Sequence, residues 1–282
     1  MSIHSSSLDS FTPDEMMTIA AARLIQPGCV CFVGIGVPSA AANLARLTHA
    51  PDMVLIYESG AIGTHPNVLP LSIGDGELAE TADAVVPLPE IFSYWLQAGR
   101  IDVGFLGAAQ IDRFGNLNTT VIGGYGKPKT RLPGAGGAPE IALHAKRIFV
   151  VLKHSPRSFV AKLDFCTSAG FLNGHGERAR RAIPGAGPQV VITDLGVLKP
   201  ATGSQELTLV GRYENVGVAK IRAAAGWPLA VADTVEVVAA PTADELRVLR
   251  DLHKRTKITH ADDALRSRKI PRPSLEQARS TA

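Results

Sequence analysis

The 282-residue chain has few cysteines, few aromatic residues and no long apolar run. Its three cysteines, Cys29, Cys31 and Cys166, are an odd number, and they lack the further, regularly spaced ligands that a zinc site needs. No apolar run approaches the roughly 20 residues that cross a bilayer. The polar, serine-rich start at 1–10 does not have the pattern of a secretory signal. These features predict a protein of the reducing cytoplasm, with no metal site and no membrane contact.

Two common patterns of enzymes are also missing. The eight histidines are scattered, and no HxxxH pair or Ser/His/Asp arrangement stands out, which disfavours a zinc enzyme and a serine hydrolase. Gly34-Ile-Gly36 follows an apolar run, but Ser39 stands where a dinucleotide fingerprint has its third glycine. A tight turn with close backbone packing is therefore favoured over a nucleotide site.

The formal net charge of +3 is unevenly distributed. Residues 254–282 contain eight Lys/Arg and three Asp/Glu, a balance of +5, together with Pro271 and Pro273 and few large apolar residues. This composition predicts a mobile basic tail behind a single domain at 11–253. The tail has no interleaved aromatic residues, so no nucleic-acid partner is expected.

Five short apolar runs predict buried strands, because uninterrupted apolar residues suit a parallel sheet that is covered on both faces. They span 29–33, 53–57, 101–106, 148–152 and 189–193. Apolar residues at helical spacing predict helices at 16–24, 40–47, 90–97 and 242–252, with Thr12 as the cap of the first. The first two strands and the helix between them form a βαβ unit. The expected fold is α/β, with an open, mostly parallel sheet flanked by helices.

One carboxylate stands at the end of a predicted buried strand. Glu58 follows the run 53–57 and precedes Ser59 and Gly60, where the strand breaks. Ligands of open α/β sheets bind outside the carboxyl ends of the strands. Glu58 is therefore a candidate catalytic residue, as a base, a ligand or a nucleophile. The alternative is an exposed acid at a strand end.

A glycine-dense stretch predicts a long loop between the third and fourth strands. Within it, Gly134, Gly136 and Gly137 leave backbone N–H groups free to face a ligand, as in an anion nest or an oxyanion hole. Pro133 and Pro139 bracket this run and favour a fixed shape. The alternative is a flexible surface linker.

Three basic residues alternate beside this loop, namely Lys127, Lys129 and Arg131. Such side chains can bind phosphate or carboxylate groups of a substrate. They are candidates for that role, and a solvated basic face is the alternative.

Several stretches together resemble the β subunits of family I coenzyme A transferases, over nearly all of 13–252. No single motif is decisive, but their order and joint spacing are highly specific. Within the family, the chain is most similar to the branch of the glutaconate and 3-oxoadipate CoA-transferases. The matching stretches are 32–39 (FVGIGVPS), 50–52 (APD), 56–60 (IYESG), 69–83 (LPLSIGDGELAETAD), 107–112 (GAAQID), 125–131, 134–138 (GAGGA) and 187–194 (GPQVVITD).

The resemblance implies a CoA-transferase that acts with an α partner subunit, commonly as an α2β2 heterotetramer, on a CoA thioester and without a bound cofactor. It implies that Glu58 is the nucleophile and passes through a mixed anhydride to a glutamyl-CoA thioester. It also implies that Gly136, Gly137 and Ala138 supply oxyanion and CoA contacts. The implied reaction moves CoA from succinyl-CoA to 3-oxoadipate, with glutaconate or another short dicarboxylate as the alternative acceptor.

Two other functions stay open. Acyl-CoA and ring-opening hydrolases occur on the same fold, but those relatives lack the strand-end glutamate that this chain retains in Glu58. A non-catalytic, ligand-sensing subunit is the second alternative, since related α/β folds serve in regulators.

Overall fold

The computed structural model describes residues 10–269, with side chains as far as Ala261. Its α-helices are α1 (Pro13–Ala22), α2 (Val37–Leu47), α3 (Gly76–Glu80), α4 (Leu88–Glu90), α5 (Ala138–His144), α6 (Glu177–Arg180), α7 (Val218–Ala223) and α8 (Ala243–Lys269), and a π-helix spans Ile91–Leu96. Its strands are β1 (Val30–Phe32), β2 (Val54–Ile56), β3 (Ala61–Ile62), β4 (Ala84–Val85), β5 (Val103–Leu106), β6 (Gln110–Ile111), β7 (Leu117–Asn118), β8 (Val121–Gly124), β9 (Lys127–Arg131), β10 (Arg147–Val151), β11 (Pro188–Ile192), β12 (Gly196–Pro200), β13 (Leu207–Arg212) and β14 (Ala230–Val237).

Ten of these strands form one open sheet, in the order β14-β13-β12-β11-β10-β5-β1-β2-β3-β4. The neighbours from β11 to β2 are parallel, and they are the five strands predicted from the apolar runs. Antiparallel pairing adds β12 and β13 on one side and β3 and β4 on the other, and β14 pairs parallel to β13. The predicted α/β fold is confirmed.

Both faces of the central strands are buried. Successive residues of a strand point to opposite faces, so Leu55 packs with residues of α1, α2 and α8, whereas Ile56 packs with residues of the π-helix and α5. Helix α1 begins at the predicted cap: Glu15 N donates to Thr12 Oγ1 at 3.1 Å, and Thr12 N donates to Glu15 Oε2 at 2.8 Å. Strand β2 therefore delivers its last residues from a dry interior to the carboxyl edge of the sheet.

Two segments differ from their predicted structure. The glycine-dense stretch is not one long loop, because 121–131 folds into the β8–β9 hairpin. The segment at 90–97 is mostly a π-helix, in which Gln97 N donates to Phe92 O and Arg100 N donates to Trp95 O. The hairpin arises from pairing within 121–131 and the π-helix from bonds between residues five positions apart, and the spacing of apolar residues encodes neither.

The last helix continues past the predicted domain boundary at 253. Helix α8 runs to Lys269, so 254–269 is helical where a mobile tail was predicted. The rest of the predicted tail, 270–282, lies outside the described residues. Over 10–269, no helix is both long enough and apolar enough to cross a membrane.

A buried cation fixes the carboxyl end of α5. Arg178 is 3% exposed, and its guanidinium donates to five backbone carbonyls, those of Ala142, Leu143, Ala169, Gly170 and Gly185. Burial lowers the pKa of Arg178 to about 10, so the side chain stays charged at neutral pH. Charged donors make stronger hydrogen bonds than neutral donors. Arg178 therefore ties the end of α5 to two loops.

Replacing this cation should destabilise the fold. We expect Arg178→Met to lower the free energy of unfolding by about 3 kcal/mol or more, because it leaves buried carbonyl groups without a partner. Arg180→Met on the same helix is the control, since Arg180 is exposed, and it should change stability by less than about 0.5 kcal/mol. Equilibrium urea denaturation measures both. Equal losses in the two variants would show that Arg178 does not have this role.

Candidate active site

Glu58 lies in a tight turn between β2 and β3. Tyr57 N donates to Ala61 O at 3.0 Å, and Gly60 N donates to Tyr57 O at 3.1 Å. Gly60 has φ +109°, and a Cβ atom on it would lie 1.9 Å from the carbonyl oxygen of Val86. Only glycine can occupy this position. The turn therefore holds the backbone of Glu58 at a fixed point beyond the carboxyl end of β2.

The residue before Glu58 anchors the strand end. Tyr57 is fully buried, and its hydroxyl oxygen lies 2.9 Å from Ser39 Oγ of α2. Burial raises the pKa of Tyr57 to about 12, so the phenol is neutral at physiological pH. Glu58 itself is half-buried. The residue that precedes Glu58 is thus fixed in the core, whereas the Glu58 side chain is partly exposed.

The glycine-rich turn before α5 reaches the Glu58 carboxylate. Gly137 N donates to Glu58 Oε2 at 3.3 Å. A Cβ atom on Gly137 would lie 2.6 Å from Phe92 Cζ and 3.1 Å from Glu58 Oε2, so a side chain there would force Phe92 or Glu58 to move. Gly136 has φ +49°, and a Cβ atom on it would lie 3.8 Å from the same oxygen. The structure brings these predicted site residues together.

A cavity of about 270 Å³ lies next to these groups. Among the described residues that line it, Glu58 is the one with a charged side chain. Ala138 also lines it, but its N–H donates to Ala135 O at 3.1 Å and is not free for a ligand. The wall is otherwise apolar or backbone. Its residues are Phe32, Val33, Gly34, Ile35, Pro38, Glu58, Ile73, Phe105, Leu106, Gly107, Ala135, Gly136, Gly137, Ala138 and Ile141.

Sequence reasoning missed much of this wall. Strand β5 ends with Phe105 and Leu106, and Gly107 follows it. Like Glu58, these residues lie at the carboxyl end of a central strand, so the rule that singles out Glu58 also applies to them. Ile73 and Phe92 come from the segment between β3 and β5. Ile73 lies in the stretch 69–83 that resembles the family, but no local pattern marks either residue as a neighbour of Glu58.

Gly34 and Gly36 do not have the role that was predicted. A Cβ atom on either would meet no atom within 4 Å, so the prediction of close backbone packing is wrong. Gly34 lines the cavity, and Gly36 has φ +84° at the start of α2. The open space beside both glycines is available to a ligand.

Lys127, Lys129 and Arg131 lie on the exposed strand β9 of a hairpin, and none of them is among the described residues that line the Glu58 cavity. A register shift in the hairpin interrupts their alternation. The Arg131 guanidinium lies over the Tyr125 ring at 4.7 Å and donates to Tyr125 O at 3.0 Å. A substrate contact of these three residues stays a prediction.

The arrangement suits attack on a carbonyl group. A carboxylate faces an apolar cavity and accepts a bond from one backbone N–H, which can also serve an oxyanion. Within 10–261, no three His, Cys, Asp or Glu side chains lie close enough together to hold a metal ion. The groups that the described chain presents at this edge are thus a nucleophile or base and a backbone donor.

The chain belongs to the coenzyme A transferase family, whose profile, "Coenzyme A transferase", matches residues 14–224. The predicted family resemblance is therefore confirmed. CoA thioesters are the substrates of this family, and its members among the relatives below are parts of two-chain enzymes.

Individual relatives show which members of the coenzyme A transferase family this chain is similar to. The chain is 58% identical to one of the two subunits of the 3-oxoadipate CoA-transferase of Pseudomonas knackmussii, across 90% of this chain and 97% of that one. The crystal structure of glutaconate coenzyme A-transferase from Acidaminococcus fermentans matches with a TM-score of 0.80 and 34% identity, across 86% of this chain and 94% of that one. A subunit of the cholesterol ring-cleaving hydrolase of Mycobacterium tuberculosis is 26% identical, across 85% and 93% of the two chains.

A single methyl group should disturb the contact between the glycine turn and the carboxylate. We expect Gly137→Ala to lower turnover about 100-fold, because the new Cβ atom displaces Phe92 or Glu58, and a misplacement of about 1 Å has that effect on rate. Gly126→Ala is the matched control, since a Cβ atom there meets nothing within 4 Å. Steady-state kinetics of the two-chain enzyme measures both, and equal activity of the two variants would contradict the expectation.

Proposed function

We propose that this chain is the β subunit of a CoA-transferase that moves CoA from succinyl-CoA to 3-oxoadipate, with Glu58 as its nucleophile. The observation that carries the proposal is the Glu58 carboxylate at the wall of a cavity, 3.3 Å from the Gly137 N–H. The acceptor is taken from the 58% identical relative, whose name states it. Glutaconate or another short dicarboxylate is the alternative acceptor.

In the proposed first half-reaction, the CoA group passes from the donor acid to the carboxyl group of Glu58. A Glu58 oxygen attacks the thioester carbonyl, the C–S bond breaks, and CoA thiolate leaves, which forms a mixed anhydride. The thiolate then attacks the Glu58 acyl carbon and releases the donor acid as a carboxylate. The product is a glutamyl-CoA thioester.

The second half-reaction runs in reverse with the acceptor. The acceptor carboxylate attacks the glutamyl thioester and expels CoA thiolate, and the thiolate attacks the acceptor carbonyl of the new anhydride. Glu58 leaves as a free carboxylate. Each attack forms a tetrahedral oxyanion, for which the N–H groups of Gly136 and Gly137 are the proposed donors in this turn, since the Ala138 N–H is already bonded to Ala135 O.

The distal carboxylate of a dicarboxylic acid requires a cation that the cavity wall does not supply. Glu58 is the charged side chain among the described lining residues, and Lys127, Lys129 and Arg131 lie on a separate hairpin. Carboxylates in proteins are bound by Arg or Lys side chains. We therefore propose that the α subunit provides the cation and completes the site, in an α2β2 heterotetramer.

An exposed apolar surface beside Glu58 supports this partner. Leu71, Ile73, Val85, Leu88 and Tyr94 are between 40% and 69% exposed. They belong to the segment between β3 and β5 that also contributes Phe92 next to the glycine turn. Apolar surface of this kind marks protein interfaces. A subunit bound here would also exclude water from the anhydride, and we place the assembly in the cytoplasm.

Removing the nucleophile should abolish transfer. We expect Glu58→Gln, assembled with the α subunit, to lose at least about 1,000-fold in turnover, since an amide cannot form the anhydride. Glu80→Gln, an exposed glutamate of α3, is the control and should keep its activity. In the unaltered enzyme, acyl-CoA followed by borohydride should reduce the Glu58 thioester to an alcohol, which mass spectrometry of the 57–61 peptide detects.

The same experiment separates the alternatives. A hydrolase would release free CoA from an acyl-CoA at a rate independent of any acceptor acid, whereas a transferase requires the acceptor. A ligand-sensing subunit would show no turnover with the α subunit. Full turnover by Glu58→Gln, or an unlabelled 57–61 peptide in the active enzyme, would refute the assignment of Glu58.

The partner surface gives a separate expectation. Tyr94→Lys should weaken association with the α subunit about tenfold or more, because it places a charge in an apolar contact. Val237→Lys, at the opposite edge strand β14 and 51% exposed, is the control. Analytical ultracentrifugation measures association, and the isolated β subunit should have almost no transferase activity. Robust activity of that subunit alone would refute the shared site.

A further inference from the structure

Helix α8 bonds to the backbone of a loop that borders the Glu58 cavity. Leu69 N donates to Thr256 Oγ1 at 2.9 Å, and His260 Nε2 lies 2.9 Å from Leu69 O. Arg255 Nη1 donates to Asn67 O. Thr256 and His260 are one helical turn apart and face the same side. Both polar groups of one loop residue are thus satisfied by side chains of the region that was predicted to be a mobile tail.

The loop carries a cavity residue a few positions further on. Ile73, which lines the Glu58 cavity, is four residues after Leu69. The intervening turn is braced from within, because Leu71 N donates to Asp75 Oδ2 at 2.8 Å and Gly74 N donates to Ser72 Oγ at 3.2 Å. A shift of Leu69 is therefore passed on to Ile73.

A second cavity borders the loop at one residue. It has a volume of about 470 Å³, and Leu69, Val37 and His253 are among the residues that line it. The loop belongs to no strand of the sheet, and Leu71 and Ile73 are exposed. The start of the loop is also held by the core, because Val68 and Pro70 are buried and Arg46 Nη2 donates to Pro66 O at 2.8 Å. At Leu69 itself, both backbone polar groups bond to side chains of α8.

The helix itself is firmly attached to the domain. Leu246, Leu249 and Leu252 are at most 2% exposed. Arg250 Nε donates to Glu15 Oε1 of α1 at 2.7 Å, and Arg23 Nη2 donates to Glu245 Oε2 at 2.6 Å. Helix α8 is thus anchored to the core as far as Leu252, and its next turns carry Thr256 and His260 to the loop.

We infer that Thr256 and His260 are positioning residues for substrate binding: they hold the 67–73 loop so that Ile73 shapes the mouth of the Glu58 cavity. Neither side chain touches the reacting atoms, so both act through Leu69. The effect expected is on substrate affinity more than on the chemical step. This inference rests on the proposed use of the Glu58 cavity as the site of transfer.

The test uses the full-length chain in its two-chain enzyme. Thr256→Val and His260→Leu remove the bonds to Leu69, and Thr256→Ser and His260→Gln retain a hydroxyl or an N–H donor at the same place. We expect the first pair to raise the KM of the CoA thioester or of the acceptor acid about five- to tenfold, as the loss of a hydrogen bond does, with kcat within about twofold. The second pair should stay within about twofold of the unaltered enzyme, and so should Lys257→Ala, an exposed control on the same helix.

Hydrogen exchange of the Leu69 amide gives a readout that does not depend on activity. It should be faster in Thr256→Val than in Thr256→Ser, because the amide loses its acceptor. Unchanged KM values despite faster exchange, or equal damage in the conservative variants, would overturn the inference. Should Thr256→Val not assemble, the His260 pair decides by the same criteria. Failure of Glu58→Gln to lose activity would refute the nucleophile alone, since the exchange result stands without it.

Discussion

The contact between the Gly137 N–H and the Glu58 carboxylate, 3.3 Å long and joining residues 79 positions apart, is the constraint on which the site depends. The parallel order β10-β5-β1-β2 brings the ends of these strands to one edge. Helix α5 can lie close to β5 because Gly104 has no side chain: a Cβ atom there would be 2.5 Å from Ile141 Cγ2. The absence of a side chain at Gly104 thus allows α5 to approach the sheet, so that the Gly137 N–H can reach Glu58.

Helix α5 is held at both ends, and this explains how seven residues can aim a donor accurately. Its first turn is fitted between Phe92 and Glu58, and its last carbonyl groups accept from the buried guanidinium of Arg178. Gly60 fixes the opposite partner through its contact with Val86. Each fixed point excludes a larger side chain or requires a buried charge, so the stability of the fold and the geometry of the site depend on the same residues.

The sequence predicts the parts of this arrangement that local patterns encode. Apolar runs locate the five parallel strands, the end of one run locates Glu58, and glycine density locates Gly136 and Gly137. It does not predict Phe92 or Ile73, because their roles arise from contacts between segments far apart in sequence. It also ends α8 too early: polar composition after 253 predicts a tail, whereas Thr256 and His260 place their polar groups on backbone atoms of Leu69. The basic run at 127–131 forms the exposed strand β9 of a hairpin, a pairing that composition alone does not encode, and its contact with a substrate stays a prediction.

The wall of the Glu58 cavity that this chain provides is incomplete, and this bears on the specificity for the acceptor acid. A mixed anhydride survives only where water is excluded, and a half-buried carboxylate in a one-sided cavity does not achieve that by itself. In the proposed mechanism, this chain supplies the nucleophile and a backbone donor, neither of which distinguishes one acid from another. Discrimination must then come from groups that meet the distal end of the acid, namely the partner's side chains and the loop that carries Ile73. Within this chain, the loop that carries Ile73, with its support on α8, is the part of the cavity wall where a preference for one acceptor acid would be built.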